Sequence, residues 1–211
     1  MPLERIIHHN ASTTIYIWKI EEDFDDLFDT VVLNDINMVR MFAMKAKQHQ
    51  LGFMSVRRLL QEAGYNDHDL HYGKDGKPHL KDGKHISISH SHLYSAIVVS
   101  DKPFGIDIEL QREKIIVIAD KFCEYELQYL DAANESDYIR RLTIIWGIKE
   151  SIFKIQNEIG ISYKDHIKVT EFKLEDKQAR AWLHFNDLLI DFIIDFEEID
   201  NYSLVLASEN V

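Results

Sequence analysis

Two carboxylates, Asp107 and Glu109, sit two residues apart in the otherwise apolar run Phe-Gly-Ile-Asp-Ile-Glu-Leu, residues 104–110. Side chains of an extended strand alternate between faces, so the two acids share one face while Ile106, Ile108 and Leu110 share the other. One face is suited to burial and the other to charge. With Cα atoms roughly 6.5 to 7 Å apart, the two charges repel unless solvent, a cation or a base separates them. Glu150 and Lys154 form a second acid and base pair, four residues apart in a helical stretch and in the favourable order on one face. The plain alternatives are a surface ion pair for Glu150 and Lys154 and the solvated face of an edge strand for the two acids.

Anion chemistry has its own candidates. Ser87, Ser89 and His90 stand at a strand end, where hydroxyls and an imidazole can donate to an anion or simply to a neighbouring strand. His90 and His92 are an i,i+2 pair without a third zinc ligand at recognisable spacing. Gly76-Lys77-Pro78 is a lysine-bearing turn of the kind that can cradle phosphate. Arg57 and Arg58 lie on a helix, where solvated arginines are the common case.

These residues need elements to position them. Thr13 to Ile20 alternates as an opening strand. Phe24, Leu27, Phe28, Val31 and Val32 fall at helical spacing within Glu21 to Leu33, with acids in the first turn. Asp35 to about Gln48 and Leu51 to Ala63 give two more helices, the second ending at Gly64 as a C-terminal cap. Asn66 to Lys84 is polar, glycine-rich loop. Ile86 to His90 and Ala96 to Val99 give neighbouring strands. After the acidic strand, Ile115 to Leu130 is a mixed helical stretch, and a long helix runs from about Asp137 to Glu158. On it, Ile144, Ile148, Ile152, Ile155 and Ile159 fill one narrow sector, away from Trp146, Glu150, Phe153 and Lys154. Val169 to Leu174, Ala181 to Phe185, Leu188 to Phe196 and Tyr202 to Leu206 read as antiparallel strands. The order strand, helices, strands thus occurs twice, which suggests a loose internal duplication.

A chain of 211 residues with 45% apolar content is expected to form one compact domain or two small halves. The longest apolar runs are broken by charge, and none approaches the ~20 residues that span a bilayer. The N-terminal Met-Pro-Leu-Glu-Arg-Ile-Ile-His-His lacks the plan of a secretory signal, so a cytoplasmic protein is expected. Cys123 stands alone, which excludes an internal disulfide and a thiolate zinc framework and leaves a buried structural thiol. With 24 basic and 36 acidic residues the net charge is −12. General affinity for nucleic acid is therefore not expected, and an anionic ligand needs a local basic pocket.

Taken together, Gly76-Lys77-Pro78, Ser89-His90-Ser91, Gly105-Ile106-Asp107-Ile108-Glu109 and Trp146-Gly147-Ile148-Lys149-Glu150-Ser151-Ile152-Phe153-Lys154 resemble, in order and spacing, the motifs of the 4'-phosphopantetheinyl transferases. The resemblance is strongest to the larger, single-chain type that activates carrier proteins of peptide and polyketide synthases. It covers roughly residues 57 to 155, and its specific parts are the G-x-D-x-E strand and the W-x-x-K-E-x-x-x-K helix.

The resemblance implies transfer of the phosphopantetheine arm of coenzyme A to a serine of an apo acyl or peptidyl carrier protein, releasing adenosine 3',5'-bisphosphate and requiring Mg²⁺. It implies Asp107, Glu109 and Glu150 as metal ligands. Glu150 and Lys154 are the implied catalytic pair, Glu150 taking the serine proton directly or through water. Arg57, Lys77, Pro78, Ser89, His90 and Lys154 are the implied contacts to the coenzyme. It further implies an α+β fold of two similar halves, residues 1–103 contacting the nucleotide phosphates and residues 104–211 carrying the metal site and catalytic helix, in a pseudo-twofold single chain that has no need to dimerise. The carrier protein is expected near Arg112, Lys114 and Lys121, which mingle with Ile115, Ile116, Ile118 and Phe122. Gly52 and Phe53 depart from the family, many of whose members carry an acid a few positions before the arginine matched by Arg57. The rival reading is a non-catalytic module that binds coenzyme A or a carrier protein. The intact acids and Lys154 speak against it, and no added metal ligands support a phosphoesterase.

Overall fold

The computed structural model describes residues 3–210; Met1, Pro2 and Val211, which enter the N-terminal reading and the ends of the two expected halves, lie outside the described residues. The chain divides into two compact units, Met1–Lys102 and Pro103–Val211. Each combines helices with antiparallel sheet, so the fold is α+β.

The first unit runs β1 (Leu3–Asn10), β2 (Thr13–Lys19), α1 (Phe24–Phe28), α2 (Asp35–Ala43), α3 (Lys47–Glu62), β3 (Leu70–Tyr72), β4 (Pro78–Leu80), β5 (His85–Ser91) and β6 (Tyr94–Ser100). Its main sheet has the order β1-β2-β6-β5, and α3 packs on it through Phe53, Met54, Val56, Leu59 and Leu60. The edge strand β1 is mostly exposed, so it lacks the apolar alternation by which a strand is recognised. The helix expected over Glu21 to Leu33 is only the short α1. The Thr30 hydroxyl donates to the Leu27 carbonyl at its end, and the Asn34 side chain accepts from the Asn37 N–H to start α2. The expected loop from Asn66 to Lys84 contains the β3–β4 hairpin. A bond from Gly73 N–H to the Lys77 carbonyl closes it around Gly76, whose φ of +81° needs glycine.

The second unit runs β7 (Phe104–Leu110), α4 (Lys114–Ile118), α5 (Glu135–Gln156), α6 (Tyr163–His166), β8 (Ile167–Val169), β9 (Gln178–Phe185), β10 (Leu188–Ile199) and β11 (Tyr202–Glu209), with short 3-10 turns between α4 and α5. The sheet order is β7-β11-β10-β9-β8, antiparallel throughout. Helix α5 begins on Asn134, whose side chain accepts from the Asp137 N–H, and packs against β7 and β11. Ile144, Ile148, Ile152 and Ile155 enter the core as the periodicity predicts. Ile159 does not: Asn157 turns left-handed at φ 51° and caps the helix on the Phe153 carbonyl, which leaves Ile159 95% exposed. Among the described residues, no helix is long and apolar enough to cross a membrane.

Candidate active site

The acidic strand is β7, and its charged face is the one that meets α5. A Cβ on Gly105 would lie 1.9 Å from the Ser151 carbonyl oxygen. A Cβ on Gly147 would lie 2.9 Å from Val205 Cγ2 and 3.4 Å from Asp107 Oδ2. Two glycines, one on each element, therefore let helix and strand approach with Asp107 enclosed between them. Asp107 is 3% exposed, so the face suited to charge is buried, as is the opposite face through Ile106 and Ile108. Glu109, one pleat along and opposite Ser203, is half-buried.

Lys154, near the C-terminal end of α5, donates from Nζ to Asp107 Oδ1 at 2.8 Å and to the Ile106 carbonyl at 2.8 Å. A helix C-terminus favours such a cation. Glu150, one turn earlier, carries a carboxyl raised above its ordinary range, first by burial and then by the nearby Asp107 charge. The Lys154 charge and the Tyr163 hydroxyl act in the opposite direction. Asp107 and Glu150 are thus two carboxylates close enough to repel, with one base beside them. Among the described residues, no three His, Cys, Asp or Glu side chains are gathered to hold a metal ion.

That donor set suits a hard divalent cation. Mg²⁺ takes oxygen ligands, is commonly held by one or two carboxylates, and leaves its other positions to water and phosphate. The mutual repulsion of Asp107 and Glu150 is what a cation would relieve.

Several contacts around this site carry no signal in the sequence. Tyr163, the first residue of α6, lies against the rings of Trp146 and Phe153 at centroid distances of 5.6 and 5.5 Å. Burial and the Glu150 charge push its phenol well above the ordinary range. Lys149 is fully buried, donating to Glu126 Oε1 at 2.8 Å, to the Phe122 carbonyl at 2.6 Å and to the Tyr163 carbonyl at 3.1 Å. Burial holds its ammonium below the usual lysine range, against the pull of Glu126. Glu126 also accepts the Val169 N–H. Lys149 stood inside the helix motif, but nothing in the sequence marks Glu126 as its partner.

The residues expected to contact the coenzyme from the first unit sit on three elements. Arg57 on α3 is buried, in place of the solvated arginine its helix suggests. Its Nε donates to Asp67 Oδ1 at 3.1 Å, its guanidinium stacks 3.5 Å from the Phe53 ring centroid, and its Nη2 is buried without a hydrogen-bond partner. Asp67 also accepts from the Asn34 N–H and the Asn37 side chain. The departure at position 53 is thereby accounted for: the counter-charge comes from Asp67, and Phe53 supplies a stacking surface. His90, next to last in β5, has its ring over Gly52, where a Cβ would lie 3.0 Å from Nδ1. Gly52 is thus the bare surface that admits the imidazole. Ser89 is buried beside it and opposite Ala96. Lys77 and Pro78 lie at the β3–β4 hairpin, Pro78 opposite Tyr72. Further along the second unit, Phe122 belongs to the core, edge-on to Trp146 at 5.1 Å, and is unavailable to a partner.

A family model described as the 4'-phosphopantetheinyl transferase superfamily matches residues 103–206, nearly the whole second unit. A 4'-phosphopantetheinyl transferase of Bacillus subtilis is 35% identical over 127 residues, 54% of this chain and 55% of the relative. The 4'-phosphopantetheinyl transferase Sfp of Bacillus subtilis strain 168 is 34% identical over 121 residues, 56% of this chain and 48% of the relative. The 4'-phosphopantetheinyl transferase gsp of Aneurinibacillus migulanus is 28% identical over 138 residues, 64% of this chain and 56% of the relative. The chain therefore spans about half the length of these curated relatives. With the acidic strand, the acidic helix and their two glycines inside the matched region, residues 103–206 belong to the 4'-phosphopantetheinyl transferase superfamily.

Proposed function

We propose that the protein transfers 4'-phosphopantetheine from coenzyme A to a serine hydroxyl of an apo acyl or peptidyl carrier protein, as an enzyme of the larger, single-chain type. The observation that carries this reading is the convergence of Asp107, Glu150 and Lys154 where Gly105 and Gly147 bring β7 against α5. In the same reading the protein is cytoplasmic and monomeric, with two halves of related plan, residues 1–103 meeting the nucleotide phosphates and residues 104–211 carrying the chemistry.

Asp107 and Glu150, with Glu109 one pleat along, are the proposed Mg²⁺ ligands. When bound, the cation neutralises charge on the diphosphate and its transition state. Lys154 adds a second positive charge at the same face and is assigned to stabilise the transferring phosphoryl group or the leaving bisphosphate. Glu150 accepts the proton of the attacking serine, directly or through water. The bond from serine oxygen to phosphorus forms as the bond to the bisphosphate breaks, a step that depends on positioning and charge. Lys77, Pro78, Ser89, His90 and the remaining donor of Arg57 are assigned to the coenzyme.

The carrier protein is assigned to the stretch after β7. Carrier proteins are typically acidic, and a groove of about 570 Å³ there is lined by Arg112, Lys114, Ile139 and Arg140, with Glu113 the one acid. Ile116 and Val117 of α4 are exposed nearby. Bases beside exposed apolar side chains suit an acidic helix.

The test is to incubate the protein with coenzyme A, Mg²⁺ and an apo carrier protein and to weigh the carrier by mass spectrometry. A gain of one phosphopantetheine group is expected. An unchanged carrier and intact coenzyme would refute transfer and leave a binding module.

A further inference from the structure

We propose that His71 and His79, facing each other across the β3–β4 hairpin, form a two-imidazole site for a borderline divalent metal of the Zn²⁺, Ni²⁺ or Cu²⁺ class. The inference is independent of the proposed Mg²⁺ site, because it uses other residues and another kind of ligand atom.

The register of the hairpin sets the pair. His71 stands directly opposite His79. The Gly73 N–H donates to the Lys77 carbonyl at 2.9 Å and the Lys81 N–H to the Asp69 carbonyl at 3.0 Å, one bond on either side of the pair. Hydrogen-bonded pairs recur at every second residue of an antiparallel ladder, so 71 and 79 belong to that class, with Cα atoms about 5.5 Å apart and both side chains on one face. Pro78 falls in the alternate class, where its missing N–H costs the hairpin no bond.

Both rings are exposed and lie face to face, with centroids 5.5 Å apart and planes at 26°. Two imidazole nitrogens held about 2.0–2.1 Å from one tetrahedral ion place their ring centres roughly 5.2 Å apart. The backbone therefore already holds the rings at the separation that chelation requires. What remains is a turn of each ring about its Cβ–Cγ bond, a soft torsion that leaves the ring centre nearly in place.

The surroundings fit a cation. The point that a Gly73 Cβ would take is 3.4 Å from His79 Nε2 and 2.3 Å from Asp75 Oδ1, so a carboxylate oxygen and an imidazole nitrogen border one cleared spot. Lys77 lies on the same face by alternation and opposes the charge, so the affinity has to come from the metal–nitrogen bonds. Imidazole suits Zn²⁺, Ni²⁺ and Cu²⁺, whereas Mg²⁺ takes oxygen ligands. Bound to both strands, the metal clips the hairpin that carries Lys77 and Pro78.

The test is calorimetric titration of the protein with Zn²⁺ at neutral pH under excess Mg²⁺, for the wild type, His71→Ala, His79→Ala and the double variant. Melting temperatures without metal report the fold, which these exposed positions are expected to leave unchanged. Loss of an outer partner of a metal site costs about 10-fold or more in affinity, and loss of either imidazole is expected to cost at least that. The double variant is expected to bind no more weakly than either single one, because one substitution already ends chelation. In the wild type alone, Zn²⁺ is expected to slow hydrogen exchange of the Gly73 and Lys81 amides. A wild type that binds no Zn²⁺ at micromolar concentration, or a double variant that binds it equally well, overturns the site. Losses that multiply in the double variant mean that each imidazole binds its own ion and overturn the chelate. Full competition by Mg²⁺ assigns the ion to carboxylates and overturns it too. The carrier assay with Mg²⁺ tests the transferase reading separately from all of these.

Discussion

Lys154 Nζ lies 2.8 Å from Asp107 Oδ1 and 2.8 Å from the Ile106 carbonyl, so a single ammonium ties α5 to both the side chain and the main chain of β7. It also offsets the repulsion between Asp107 and Glu150. Removing it leaves the buried Asp107 and the half-buried Glu150 to repel without that base and takes one positive charge from the proposed phosphoryl site. Lys154→Ala is expected to lower the rate of carrier modification by about 100-fold or more, with Lys154→Arg intermediate. Asp107→Ala is expected to abolish the mass gain of the carrier while circular dichroism remains native. Wild-type turnover in either alanine variant would remove these residues from the chemistry.

Gly105 tests the contact between strand and helix. The atom that an added Cβ would meet at 1.9 Å is backbone, the carbonyl of Ser151, and it cannot rotate away as a side-chain tip could. Gly105→Ala must push β7 and α5 apart, and overpacking of this kind costs about 3 kcal/mol or more. Urea denaturation of the alanine variant should show that loss, together with loss of transfer even where some native fold survives. A denaturation midpoint equal to the wild type's would mean that the helix and strand are less tightly apposed than described.

Arg57 and Asp67 are both buried, and their ion pair is shared with Asn34 and Asn37. Breaking a buried pair by removing one partner costs about 3–5 kcal/mol because the other charge is left uncompensated. Arg57→Met is therefore expected to lose about that much stability by chemical denaturation. Asp67→Asn, which retains a hydrogen-bonding side chain, is expected to lose less than Arg57→Met. A fully stable Arg57→Met protein with a raised KM for coenzyme A would instead assign Arg57 to the ligand alone.

The periodic elements were legible because one mechanism dominates each. Helix α5 is long, capped by Asn134 and apolar on one sector, β7 alternates apolar and acidic residues in sequence, and β11 is a mostly apolar, buried run, so each is read from its own residues. Elements whose shape depends on distant partners were not. The short α1 and the β3–β4 hairpin are set by single hydrogen bonds at Thr30, Asn34 and Gly73, while β1 is an edge strand that buries little. In the site, Asp107, Glu150 and Lys154 declared themselves by charge and spacing. Asp67, Glu126 and Tyr163 did not, because each acts on a residue in a different element and an isolated loop acid or tyrosine has no pattern of its own. Glycines 52, 105 and 147 gain meaning only once their opposing atoms, on His90, Ser151 and Val205, are in place.

Cys123 offers a measure of the second unit's core that is independent of any ligand. Burial is the main cause of its elevated thiol pKa, which is pushed up to about 12 from 9.0. The Glu126 charge adds to the rise and the Lys149 charge opposes it. A group whose folded pKa is raised contributes stability that is fully present below its unfolded pKa and is lost as pH rises through the folded value. The window is therefore pH 9 to about 12. Tyr129, whose hydroxyl donates to the Val169 carbonyl, is shifted upward by burial too, so the thiol's share appears as the difference between the wild type and Cys123→Ala. The wild type is expected to lose stability more steeply than Cys123→Ala between pH 9 and about 12. Its thiol should react with a disulfide reagent at pH 8 only after unfolding. Stoichiometric reaction of the native protein within mixing time would show that the segment carrying Cys123 opens freely.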